Sequence, residues 1–376
     1  MSTQVHSEIL SDLLTNVRSR RDEFEQLRYI PRDVVEQFKK AGVYRAFVPK
    51  KFGGDEKTPR QFLEVIEKIA QADGSAGWVA SFGVGSIYLS SLHPDIYAEI
   101  FKNSPDTVFA GCVFPPQAAT YANHQYKVKG VWPYGSGSMC ADYIGVGIKC
   151  EQSGKLPQMA VMPADQVNIN QDSWKVHGMA STGSFDVKVD NVLVDENWVF
   201  ERGSKSNLEG TIARYPPLSL ATQVLAVTTL GIAREAVNMV LQLADKGGSI
   251  TGAANIADRD HGRLQLAKAE AKIRSSRAYF YESIDDAWQT LSSGDELKPE
   301  QINMLRLSST HLTRECTEVV NICYRLEGLQ AAQYSNHMSR CYRDTSTANL
   351  HAFMGEATYL NAGAMLFGKP PSPGYL

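Results

Sequence analysis

The sequence lacks any pair of cysteines at CxxC spacing: Cys112, Cys140, Cys150, Cys316, Cys323 and Cys341 are scattered along the chain. They are read as reduced thiols in a cytoplasmic protein. The opening MSTQVHSEILSD has neither the basic nor the apolar region of a signal peptide. No run approaches the roughly 20 uninterrupted apolar residues of a membrane span. The most apolar helical stretch, 219–243, is interrupted by Thr222, Gln223, Thr228, Arg234 and Glu235. Long blocks of one charge are also missing, and 38 basic against 41 acidic residues leave a net charge of −3. That balance argues against binding by phosphate neutralisation, so no nucleic acid is expected as a partner, and without an apolar span no membrane is expected either.

Common catalytic signatures are absent as well. There is no GxxxxGK[ST] phosphate loop, no HExxH helix and no GxSxG elbow. Gly83-Val84-Gly85 and Gly145-Val146-Gly147 are lone GxG pairs without a third glycine, so no dinucleotide-binding domain is expected. The eight histidines lie in no metal-ligand spacing, and no metal site is expected.

What the 376 residues do contain is enough apolar material, 43%, for a large core. From Ser7 to about Asn103 the pattern is helical. Ile9, Leu13 and Val17, then Val34, Val35 and Phe38, recur at helical spacing, with Pro31 suited to a first turn. Gly42, Pro49 and Gly53-Gly54 end one helical segment, Thr58-Pro59 open the next, and a third begins near Ser75. Between Thr107 and Phe200 short β-rich runs separated by Gly, Pro, Asn and Asp suggest a sandwich or barrel. After Pro216-Pro217 helical patterns return at about 219–245, 260–292, 299–326 and 345–366, fitting an antiparallel four-helix bundle. The expected fold is mainly α with a central β domain: a helical domain over 1–106, a β domain over 107–211 and a bundle over 212–376.

Four segments, in order, resemble the acyl-CoA dehydrogenase superfamily, and specifically its reduced-flavin-dependent two-component monooxygenase branch (group D). They are Ile30-Pro31 to Gly54; Asp73-Gly74-Ser75 to Ala80; Gly130-Val131-Trp132-Pro133-Tyr134-Gly135-Ser136-Gly137 with Trp174 to Gly178 and Thr182-Gly183-Ser184-Phe185-Asp186-Val187; and Arg340 to Asp344 with His351. Together they span almost the whole chain. The resemblance implies the same helix, β, bundle order and a homotetramer. It also implies a flavin cradled by Trp132, Ser136, Gly137, Thr182, Ser184, Gly328 and Arg340. Lys246 is a further substitute for a missing phosphate contact.

Within the superfamily, dehydrogenases need a carboxylate base shortly after the Arg-Asp motif. Here no acidic residue follows Asp344 before Glu356. Ser136 fits the oxygenase branch, where a hydroxyl beside flavin N5 preserves a C4a-hydroperoxide; without the resemblance it reads as a turn residue between strands. If the helix runs on, Arg340, Asp344, Ala348 and His351 share one face. His351 is then a proton donor beside the flavin or, without the resemblance, a histidine satisfied inside the bundle. Asp344 is expected to orient His351 or Arg340.

Phenol hydroxylases of this branch place a histidine where this chain has Ser86, and His93 could replace it only in a shifted alignment. An electron-rich ring that needs no deprotonation is therefore favoured, and the chain resembles indole- and indole-acetate-oxidising bacterial flavoproteins. The expected activity is hydroxylation or epoxidation of an indole through a C4a-hydroperoxyflavin. A phenol hydroxylase and an acyl-CoA dehydrogenase are the alternatives. Trp78, Ser86, Tyr88 and Phe114 are the expected substrate contacts. FADH2 is the expected cofactor, with FMN the alternative, and O2 and a separate NAD(P)H:flavin reductase are the expected partners.

Overall fold

A computed structural model describes residues 3–149, 157–245, 252 and 254–376. Lys246, proposed above as a phosphate contact, lies outside these residues, as does Cys150. The chain forms two compact units. One comprises Met1–Phe62, Val79–Val176 and Ala180–Pro217; the other comprises Leu63–Trp78, His177–Met179 and Leu218–Leu376.

The N-terminal helices are α1 (Thr3–Ser19), α2 (Arg21–Leu27), α3 (Arg32–Lys40), α4 (Pro59–Ala72), α5 (Gly74–Ser81), α6 (Gly85–Leu89) and α7 (Pro94–Phe101). Helix α3 shows how directly sequence dictates them. Pro31 stands at its N-cap in extended backbone, Val34, Val35 and Phe38 form its buried stripe, and Lys39 and Lys40 lie in its last turn.

Among the described residues seven strands follow: β1 (Phe109–Ala122), β2 (Gln125–Gly135), β3 (Tyr143–Lys149), β4 (Gln158–Pro163), β5 (Asn168–Asn170), β6 (Phe185–Asp195) and β7 (Val199–Glu201). Their order is β5-β6-β2-β1-β3-β4-β7. Asn123 and His124, both at positive φ, make the two-residue turn that joins β1 to β2. The first part of β1 pairs with β3 in parallel and its end pairs with β2 antiparallel, so one strand serves both neighbours. Alternating Val128 and Trp132, Ile144, Val146 and Ile148, and Val187 and Val189 fill the core of the sheet.

The second unit is built mainly on α8 (Pro217–Asp245), α9 (Asp260–Ser292), α10 (Pro299–Glu327), α11 (His337–Ala348) and α12 (Glu356–Leu366). Helix α8 is long and apolar enough to cross a membrane, yet it is buried nearly all round from Ser219 to Ala233. Its threonine hydroxyls are satisfied within the helix, as by Thr228 Oγ1 donating to Val224 O at 3.1 Å, which suits a helix buried in a core. Arg277 of α9 grips Glu67 of α4 at 2.9 and 3.1 Å, and the Tyr281 hydroxyl donates to the same carboxylate at 2.7 Å. The continuous helix expected over 345–366 is instead two. Helix α11 stops at Ala348 after the weak helix formers Thr345, Ser346 and Thr347, whose neighbours Asn349 and His351 cap one turn and begin another.

Candidate active site

The β2–β6 register pairs Gly135 with Phe185, which brings the next residue, Ser136, opposite Ser184. Ser136 Oγ lies 2.6 Å from Ser184 Oγ, and Thr182 Oγ1 is also 2.6 Å from Ser184 Oγ. All three are buried, Ser136 the least so at 8% exposure and Thr182 at 1%. Two bonds use two of the trio's three protons, so the third serves a partner outside it. Gly137 adopts φ +73 and its N–H donates to Thr182 O at 2.9 Å, which locks the strand end against the segment carrying Thr182 and Ser184. A buried hydroxyl trio at a strand end fits the polar edge of a planar heterocycle such as flavin. Ser136, Gly137, Thr182 and Ser184 are the residues that would hold it.

Trp132 belongs elsewhere. Its ring is fully buried in the sheet core and its indole N–H donates to Gly147 O at 2.7 Å. The residue expected as a flavin contact is thus a core anchor, because a buried indole N–H must find an acceptor.

In the helical unit, His351 does not continue the face of α11. It N-caps the 3₁₀ turn Ala352–Met354, its Nδ1 accepting the Phe353 N–H at 3.2 Å. That bond leaves the neutral ring's proton on Nε2. The ring stands edge-on to Trp78 at 6.0 Å between centroids, which pairs a proposed catalytic residue with a proposed substrate wall. Asp344 does not orient His351. It is 4% exposed and accepts the Met179 N–H at 2.5 Å. Burial first, then neighbouring Asp73, pushes its carboxyl up to about 7, against the Met179 bond and the charges of Arg340 and Arg343. The neighbouring Gly178 packs so closely that a Cβ would sit 2.0 Å from Arg343 O.

Arg340 lies 4.0 Å from Asp73, which in turn accepts the Ala76 N–H at 2.8 Å and caps α5. The arginine expected at the flavin is therefore part of an internal charge cluster with Asp73, Asp344 and Arg343. Gly328 ends α10 at φ +75, in open space. His93 N-caps α7 as a half-exposed side chain, which removes it as a stand-in for the missing phenol base. Ser86 is buried at 4% exposure. Tyr88 and Phe114 converge on a residue that sequence reading missed: the Arg202 guanidinium lies 5.0 Å from the Phe114 centroid and interacts with Tyr88. A lone arginine after a strand gives no sequence signal of this. Among the described residues no cluster of His, Cys, Asp and Glu could hold a metal.

The family models "Acyl-CoA dehydrogenase, N-terminal domain" and "Acyl-CoA dehydrogenase, C-terminal domain" match residues 9–92 and 223–356. The chain is 50% identical to an indole-3-acetate monooxygenase of Pseudomonas putida, over 96% of this chain and 92% of that one. It is 44% identical to an indole-3-acetate monooxygenase of Acinetobacter baumannii, over 98% and 95%. A "flavin-dependent monooxygenase, oxygenase subunit" of Rhodococcus jostii is 25% identical over 96% and 98%. The crystal structure of 3-HSA hydroxylase from Rhodococcus sp. RHA1 superimposes with a TM-score of 0.91 at 24% identity, covering 99% and 98% of the two chains, and shares the fold. The chain therefore belongs to the acyl-CoA dehydrogenase family, in its branch of flavin-dependent monooxygenases.

Proposed function

We propose that this protein is the oxygenase component of a two-component system that inserts one oxygen atom into the ring of indole-3-acetate. The observation that carries the reading is the 50% identity to an indole-3-acetate monooxygenase over nearly the full length of both chains. Reduced flavin, when bound, supplies the activated oxygen; FAD is the form proposed. The chain supplies position and protons. Ser136 presents a hydroxyl backed by Ser184 and Thr182, so its orientation is fixed before the flavin arrives. His351 offers a proton from Nε2, its tautomer set by Phe353. Trp78, edge-on to that imidazole, forms an apolar wall for an aromatic ring.

With no dinucleotide fingerprint in the sequence, a separate NAD(P)H-dependent reductase delivers the flavin. Leu329, Leu350, Leu360, Leu366 and Phe367 are exposed on the helical unit and support a homotetramer, which light scattering checks. The site of action is the cytoplasm.

The decisive measurement is oxygen uptake and product mass with enzymatically reduced FAD or FMN, tested on indole-3-acetate, indole, a phenol and an acyl thioester. A product of indole-3-acetate heavier by one oxygen atom is expected only while the reductase runs. Turnover driven by NADH in the pure protein, or flavin reduction by the thioester, would overturn the reading.

A further inference from the structure

Arg202 sits just past β7 on a backbone held from several sides. Its N–H donates to Pro157 O at 3.1 Å. Beyond it, the Ser91 hydroxyl donates to Ser204 O at 3.1 Å, Asn207 N–H donates to Ser90 O at 2.8 Å and the Asn207 amide donates to Leu92 O at 2.9 Å. Such a loop has its main chain fixed before a ligand arrives. The guanidinium lies over Phe114, whose ring is 49% exposed. Phe114 belongs to the stretch of β1 where the pairing with β3 shifts between Cys112 and Gln117, so the ladder does not dictate its direction. Tyr88, from α6, packs against the same apolar cluster as Val113, the residue before Phe114.

Burial draws the Arg202 pKa down, with Tyr88 opposing, and the same burial raises Tyr88 far above its ordinary range. Tyr88 thus keeps its proton and remains a donor. The cluster offers a planar cationic fork, a phenolic O–H and an open aromatic face. Those are the parts that recognise an aromatic ring carrying a carboxylate.

We propose that Arg202, laid across Phe114 and beside Tyr88, binds the carboxylate of the substrate's acetate side chain and makes the enzyme selective for it over uncharged indoles. The inference rests on indole-3-acetate as substrate and names the residue that selects it.

The test compares equilibrium binding of indole-3-acetate and indole-3-acetamide to the full-length protein by calorimetry, with steady-state kinetics alongside. Arg202→Gln should weaken indole-3-acetate about ten- to hundredfold, the usual range for a lost charge-assisted pair. Its KM should rise with kcat nearly unchanged, while indole-3-acetamide binding stays within about threefold. Arg202→Lys should recover part of the loss, since charge returns without the fork. Tyr88→Phe, which deletes only a hydroxyl, should weaken the acetate more than the acetamide, whose neutral carbonyl accepts a weaker bond, and serves if Arg202→Gln does not fold. Equal weakening of both ligands, or no change for the acetate, overturns the assignment. Wild-type protein that neither binds nor oxygenates indole-3-acetate would instead sink the substrate reading; wild-type activity matched by Arg202→Gln would sink only the role of Arg202.

Discussion

Replacing Asp344 with asparagine should make the protein more resistant to alkaline destabilisation. The carboxyl is 4% exposed and faces Asp73, and these two causes raise its pKa to about 7 despite Arg340, Arg343 and the Met179 N–H. In the unfolded chain its pKa returns to about 3.9. Because the folded value is the higher one, the native state holds a proton that the unfolded chain releases between about pH 4 and pH 7. Stability from this group is thus full below pH 4, falls as pH rises through 7, and is level above. Three pKa units correspond to about 4 kcal/mol as an upper bound, and coupling to Asp73 brings the working figure to about 2–4 kcal/mol. At about 2–4 °C per kcal/mol, the effect is well within reach of thermal unfolding. Asparagine keeps an oxygen for the Met179 N–H and carries no charge. Unfolding temperatures of both proteins from pH 3 to pH 8 should therefore coincide below about pH 4, diverge between pH 4 and pH 7, and stay apart by a constant amount above, with Asp344→Asn the more stable. The difference between the two curves cancels every other titrating group. A variant that loses most stability at pH 8 would refute the reasoning, since it would mean that the ionised carboxylate is a net favourable partner of the two arginines.

Three further outcomes are expected. Ser136→Ala removes the 2.6 Å bond to Ser184, about 1 kcal/mol, so the melting temperature falls by only about 2–4 °C; oxygen uptake should continue while product falls and hydrogen peroxide rises, and unchanged coupling would return Ser136 to a turn role. His351→Ala should uncouple in the same direction and His351→Gln, which retains an N–H donor, should recover part of the product yield, as read by peroxide assay and product mass. Gly178→Ala puts a Cβ 2.0 Å from Arg343 O and 2.2 Å from its carbonyl carbon, a backbone clash expected to cost more than about 3 kcal/mol; a folded variant with the wild-type melting temperature would contradict it.

What the sequence makes legible follows from where each residue's partner lies. Helix α3 could be read because its stripe, Val34, Val35 and Phe38, is a property of one element, and β6 because its alternation is local. The end of α11 could not be read in this way. Hydrophobic spacing runs on through Ala348 to Leu350, and only the capping by Asn349 and His351, with Leu350 left 84% exposed, shows that the helix has stopped. That one misplaced boundary is what put His351 on a face with Asp344. The site residues are harder still, since their neighbours are set by tertiary pairing. Ser136 and Ser184 look unrelated in the sequence until the β2–β6 register places Gly135 opposite Phe185, after which their contact is forced. Motif resemblance substituted for that register and singled out both serines together with the core residue Trp132, because a motif records that a residue matters and not which way its side chain turns. The Gly147 carbonyl that claims the Trp132 N–H comes from another strand, and no spacing within the Trp132 segment signals it. Arg202 is the limiting case. It belongs to no motif and no periodic face, and it gains meaning only when the loop after β7 lays it on Phe114. Selectivity for a side-chain carboxylate is thus the property least visible in the sequence, since one arginine on a surface-running loop can supply it without altering the pattern that specifies the fold.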